Sequence, residues 1–79
     1  MKKHNNPFNS NDFYLSAYLL ANDCELVEIE FNDSKRATFL FESVNEELIN
    51  NFWLGRGQIE PKRFISSIKE LKQRLYSIN

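Results

Sequence analysis

Cys24-Glu25-Leu26-Val27-Glu28-Ile29-Glu30-Phe31 decides the fold class, because apolar and acidic residues alternate along it with a period of two. Such alternation describes a strand with one buried face. Val27, Ile29 and Phe31 form its apolar side, with Leu26, Glu28 and Glu30 opposite. A second run, Lys35-Arg36-Ala37-Thr38-Phe39-Leu40-Phe41, sets Ala37, Phe39 and Phe41 on one face in the same way. Asn32-Asp33-Ser34 between them is turn chemistry, so the runs are expected to pair as an antiparallel hairpin. Only an odd loop keeps both apolar sets on one side, because a one-residue slip would flip every side chain of a strand. With Asn32-Asp33-Ser34 as the loop, Ile29 faces Ala37 and Val27 faces Phe39. The same register sets Glu30 against Arg36 and Leu26 against Leu40 on the outer face, both favourable cross-strand pairs.

Upstream of the hairpin, Ser10-Asn11-Asp12 offers helix N-cap residues ahead of the apolar run Phe13 to Ala21. On a helical projection Phe13, Ala17 and Leu20 share a face, Tyr14, Tyr18 and Ala21 adjoin it, and Leu15 and Leu19 take most of the rest. A helix apolar nearly all round is a buried helix, covered by its own chain or by a partner. The polar stretch 1–9, with Pro7 within it, reads as a flexible leader, which leaves 10–79 as a single domain. Downstream, Ser43-Val44-Asn45-Glu46 matches a capping box, with Ser43 as N-cap and Glu46 at the third helical position. Val44, Leu48 and Phe52 line that helix, and Gly55 ends it. Pro61 suits the first turn of a last helix, striped by Phe64, Ile68, Leu71, Leu75 and Ile78 and carrying Lys62, Arg63, Lys69, Lys72, Gln73 and Arg74 opposite. The expected architecture is a small α+β domain of order α-β-β-α-α, an antiparallel hairpin packed against helices. Its core is expected to hold the first helix with Val27, Ile29, Phe39, Phe41, Leu48, Phe52, Phe64, Ile68 and Leu71.

Composition bounds the chemistry. The chain has 79 residues, enough for one domain, and 14% of them are aromatic, which a disordered chain would lack. One cysteine, Cys24, excludes an intramolecular disulfide and fits a reducing cytoplasm. One histidine, His4, excludes a His-based zinc site and leaves no base for a Ser-His-Asp triad. An enzyme is therefore not expected, nor a metal or other cofactor. The longest apolar run falls well short of the ~20 residues that span a bilayer, so no membrane partner is expected. Burial at about 25 cal/mol per Å2 roughly balances chain entropy in a domain this small, and a two-stranded sheet is marginal alone. A homo-oligomer or a larger protein partner is the expected remedy.

The net charge is only −1, but it is sorted along the chain. Residues 22–47 carry eight acids against Lys35 and Arg36, while residues 55–79 carry six bases against Glu60 and Glu70. Bases on one helix and loop suit nucleic-acid phosphates, and an aromatic beside them suits an unstacked base. Arg56, Lys62, Arg63, Lys69 and Trp53 are the candidates for such a site, with an ordinary solvated helix face as the alternative. Gly55-Arg56-Gly57 offers backbone amides to an anion just ahead of a helix N-terminus, or else is a helix stop with a flexible connector. The rival reading is a protein-binding adaptor or inhibitor, acting through the apolar first helix or the acidic hairpin residues Glu25, Glu28, Glu30 and Asp33. Glu28 and Glu30 lack the cleft that acid–base catalysis needs. Cys24 has acids beside it, which raise a thiol's pKa and blunt its reactivity.

The aromatic-led helix Asp12-Phe13-Tyr14-Leu15-Ser16-Ala17-Tyr18-Leu19-Leu20, the hairpin ending Phe39-Leu40-Phe41, and Gly57-Gln58-Ile59-Glu60-Pro61-Lys62-Arg63-Phe64 followed by Leu71 carry a family likeness. Over about residues 11–78 the chain resembles a small prokaryotic and phage family, domain of unknown function 5659. Its members often carry a glycine between the first helix and the first strand, where Asn22-Asp23 stands here. The resemblance implies a compact domain from a mobile or viral genome, with no substrate attached. With the basic candidates Arg56, Lys62, Arg63 and Lys69 and with Trp53, the chain is expected to be a nucleic-acid-associated accessory protein, and the resemblance adds a phage or mobile-element origin.

Overall fold

A computed structural model describes residues 5–32 and 36–78 of the chain. The protein is α+β, a three-stranded antiparallel sheet with three helices. In chain order these are β1 (Asn5–Ser10), α1 (Phe13–Ala21), β2 (Leu26–Phe31), β3 (Ala37–Asn45), α2 (Glu46–Trp53) and α3 (Pro61–Ile78). The expected α-β-β-α-α order is present, preceded by one further strand. Residues 5–9, read from sequence as flexible leader, belong to that strand, which pairs with β3 so that the sheet runs β1-β3-β2. Pro7 lies where the register shifts between Asn6 and Phe8, so its missing N–H falls at an irregularity on an edge strand. Met1 to His4, and Asp33, Ser34 and Lys35, lie outside the described residues.

The hairpin's faces follow the alternation only in part. Ile29 stands opposite Phe39 and Glu30 opposite Thr38, two residues along from the expected partners Ala37 and Arg36. The connection spans residues 32–36 and is closed by the Asn32 N–H donating to the Arg36 carbonyl at 3.1 Å. A slide of two keeps every face, so the parity reasoning holds while the register does not. Between Leu26, opposite Phe41, and Glu28, opposite Leu40, Val27 is an extra residue. This bulge reverses the phase of the strand. Leu26, assigned to the outer face, is 7% exposed, and Val27, assigned to the core, is 59% exposed.

Helix α1 is the centre of the molecule. Leu15, Ser16, Ala17, Tyr18, Leu19 and Ala21 are all buried, packed with Phe39, Phe41, Val44, Leu26 and Leu71. The protein's own elements cover the helix, and β1 completes the sheet. Of α1 only Tyr14 is largely exposed. Asp12 caps the helix, its Oδ1 accepting from the Leu15 N–H at 2.8 Å. Ser16 Oγ lies 2.8 Å from both the Ser10 hydroxyl and the Asp12 carbonyl, so the only polar side chain buried in α1 ties it to β1. At the far end Asp23 takes φ 68°, the left-handed conformation that glycine adopts without cost.

Helix α2 begins later than the capping-box reading placed it. β3 continues through Ser43 and Val44, and Asn45 is the N-cap, its side chain accepting from the Glu47 N–H at 2.8 Å. Val44 is accordingly a buried strand residue, and Leu48, Ile49 and Phe52 are half-buried against the core. Leu71 anchors α3 at 0% exposure, with Phe64, Ile68 and Leu75 partly buried beside it.

Candidate functional site

The charged residues of α3 fall into two sectors. At 3.6 residues per turn, Lys62, Lys69 and Gln73 point directly away from buried Leu71, with Ile65, Lys72 and Tyr76 beside them. This outward ridge holds three lysines and no acid. Two apolar side chains lie among them, Ile65 at 51% and Tyr76 at 73% exposure. Arg63, Glu70 and Arg74 occupy the flank instead. There Arg63 Nη2 meets Asp23 Oδ1 at 3.1 Å and Arg74 Nη2 meets Glu70 Oε2 at 2.9 Å. The start of α3 already carries a carboxylate, because Glu60 Oε1 accepts from the Arg63 N–H at 3.0 Å. A negative side chain at a helix N-terminus competes with any anion for the same donors.

The five sequence candidates therefore divide. Lys62 and Lys69 share the ridge, and Arg63 is turned aside to Asp23. Trp53 ends α2 and Arg56 lies in the loop just after it, its N–H donating to the Asn51 carbonyl at 2.7 Å. Trp53 is 59% exposed and stands edge-on to Phe52, ring centroids 5.0 Å apart, while Phe52 leans on Tyr18 at 5.4 Å. Lys72 and Tyr76 are the members that the sequence-based site left out. Their signal was the spacing Ile65, Lys69, Lys72, Tyr76, the counterpart of the buried stripe on the opposite side.

Gly55 and Gly57 each have a structural role. Gly55 adopts φ +74° at the end of α2, the usual helix-terminating conformation. Gly57 lies against a ring: a Cβ built there would stand 2.7 Å from the Tyr18 hydroxyl oxygen. Helix termination and close packing account for both glycines without an anion.

The family model of domain of unknown function DUF5659 matches residues 5–77. The chain belongs to this family. No curated protein and no solved structure matches it.

In this DUF5659 domain, Glu28 and Glu30 stand opposite Leu40 and Thr38 of β3, and Glu28 shares a groove with Gln73, Arg74 and Ser77 of α3. Glu25, Glu28 and Glu30 are exposed, and among the described residues none forms an ion pair with α3. Asp33, the fourth acidic candidate, lies outside the described residues. Cys24 is buried, and burial first, then the charge of Asp23, pushes its thiol pKa above 9.0. Among the described residues of the DUF5659 domain no three His, Cys, Asp or Glu side chains gather as a metal site, and no helix is long and apolar enough to cross a membrane.

Proposed function

We propose that this protein is a small non-catalytic module that binds single-stranded nucleic acid along the outward ridge of α3. The observation that carries the reading is the ridge itself, where Lys62, Lys69 and Lys72 stand without an acid and Lys69 and Lys72 lie within two turns of the exposed ring of Tyr76. Lysines neutralise phosphates, and an exposed aromatic offers a stacking platform that tolerates any base. Trp53 at the end of α2 and Arg56 just after it would extend the contact along the strand. An accessory role in a phage or mobile element is part of this proposal, and the lone buried thiol of Cys24 fits a reducing cytoplasm.

Fluorescence anisotropy of a labelled single-stranded oligonucleotide at low salt tests the reading. Replacing Lys62, Lys69 and Lys72 together with Glu should abolish binding while circular dichroism stays unchanged. Tyr76→Ala should weaken binding by about ten-fold, the lower part of the range for one stacked base. Arg63→Glu should do little, because Arg63 is already engaged by Asp23. Absence of binding to the unaltered protein would overturn the proposal.

A further inference from the structure

The free edge of β2 is open over part of its length. In the sheet order β1-β3-β2 this strand has β3 on one side only. The Asn32–Arg36 backbone bond and the pairing of Glu30 with Thr38 set which groups face β3, and the antiparallel alternation turns the N–H and C=O of Ile29 and Phe31 to the unpaired side. Helix α3 guards only the start of this edge, where Arg74 Nη1 reaches the Leu26 carbonyl at 3.5 Å. Beyond it lies a groove of about 600 Å3, walled by Val27, Glu28 and Ile29 on the strand and by Gln73, Arg74 and Ser77 on the helix. Val27 at 59% and Phe31 at 36% exposure supply apolar surface along it.

We propose that this edge takes an extended segment of another protein, with basic and apolar residues alternating, which adds to the sheet beside β2. Backbone groups of Ile29 and Phe31 would hold the segment by strand addition, a mode in which main-chain hydrogen bonds give affinity and alternate side chains give specificity. Charge decides the occupant. Glu28 and Glu30 project to one face of the new pair, where they favour Lys or Arg opposite them, and Ile29 on the other face favours an apolar residue. A second copy of the chain is disfavoured by the same geometry. Antiparallel pairing of two β2 strands about Ile29 would set Glu28 opposite Glu30 twice over, like charge against like. The groove borders the α3 ridge at Gln73, but the contacts proposed here are with β2 and do not use the ridge's lysines.

Short synthetic peptides test the proposal on the full chain, read by titration calorimetry and by backbone amide NMR. A peptide alternating lysine and valine should bind, with hydrogen-exchange protection appearing at the Ile29 and Phe31 amides. The same peptide N-methylated on alternate backbone nitrogens keeps its charge and side chains but cannot pair, and should not bind. Exchanging Glu28 and Glu30 for Lys should weaken the alternating peptide by about ten-fold, given two cross-strand pairs reversed. Equal binding of the N-methylated peptide, or binding without protection at Ile29 and Phe31, would overturn the proposal, as would no binding of the alternating peptide.

Discussion

Gly57 lies so close to the ring of Tyr18 that a Cβ on it would come within 2.7 Å of the hydroxyl oxygen and within 2.9 Å of two ring carbons. Tyr18 is 5% exposed and wedged against Phe52, so it has little room to retreat. Gly57→Ala should therefore destabilise the fold by about 1–3 kcal/mol through overpacking. Gly55→Ala, which meets open space but sits at φ +74°, should cost about 1 kcal/mol through backbone strain alone. Urea unfolding of both variants checks the difference, and their oligonucleotide affinity should match that of the unaltered protein.

The bulge in β2 makes an inverted pair of expectations. Leu26→Ala should cost about 2–5 kcal/mol, because the side chain is buried opposite Phe41. Val27→Ala should stay within about 0.5 kcal/mol, as for an exposed position. Thermal melting of the two variants measures this directly, and the reverse ranking would restore the unbulged register.

Helices α1 and α3 were legible and the sheet's first strand and irregularities were not. Periodicity located α3, whose apolar residues repeat at helical spacing over several turns, while α1 followed from its cap residues and an apolar run that is not periodic. Val27 was misplaced because a bulge inserts one residue without any composition signal, and everything on one side of it changes face. Strand β1 was missed because Asn5, Asn6 and Asn9 are poor strand formers and Pro7 lacks an N–H, a combination tolerated on an edge. Ser43 and Asn45 are both competent caps, and the sequence could not weigh the pairing that keeps Ser43 in β3. Within the candidate site, Lys62 and Lys69 followed from spacing along one helix. The diversion of Arg63 to Asp23 depends on a contact between residues 40 positions apart, which no local pattern reports.

Asp23 at φ 68° tests the turn after α1. Alanine there should be less stable than glycine by about 1 kcal/mol, because both lose the exposed pair with Arg63 and only alanine bears the left-handed strain. Comparing Asp23→Gly with Asp23→Ala by urea unfolding isolates the backbone contribution.

Cys24 gives a pH dependence with a definite sign. Its folded pKa lies above the ordinary 9.0, so the stability it contributes is complete below that pH and declines as the pH rises through the folded value. Unfolding free energy should fall at alkaline pH, and Cys24→Ala should show a shallower decline. Iodoacetamide should label the native thiol far more slowly than the urea-unfolded one, since burial and the raised pKa both limit the thiolate.

The salt dependence of binding to a single-stranded oligonucleotide tests the ridge most directly. Three lysine–phosphate contacts should make log K fall against log[salt] with a slope of about −2, and Tyr76→Ala should lower every point without changing that slope. No measurable binding at low salt would contradict the account, and so would a slope that persists unchanged when Lys62, Lys69 and Lys72 are replaced by Glu.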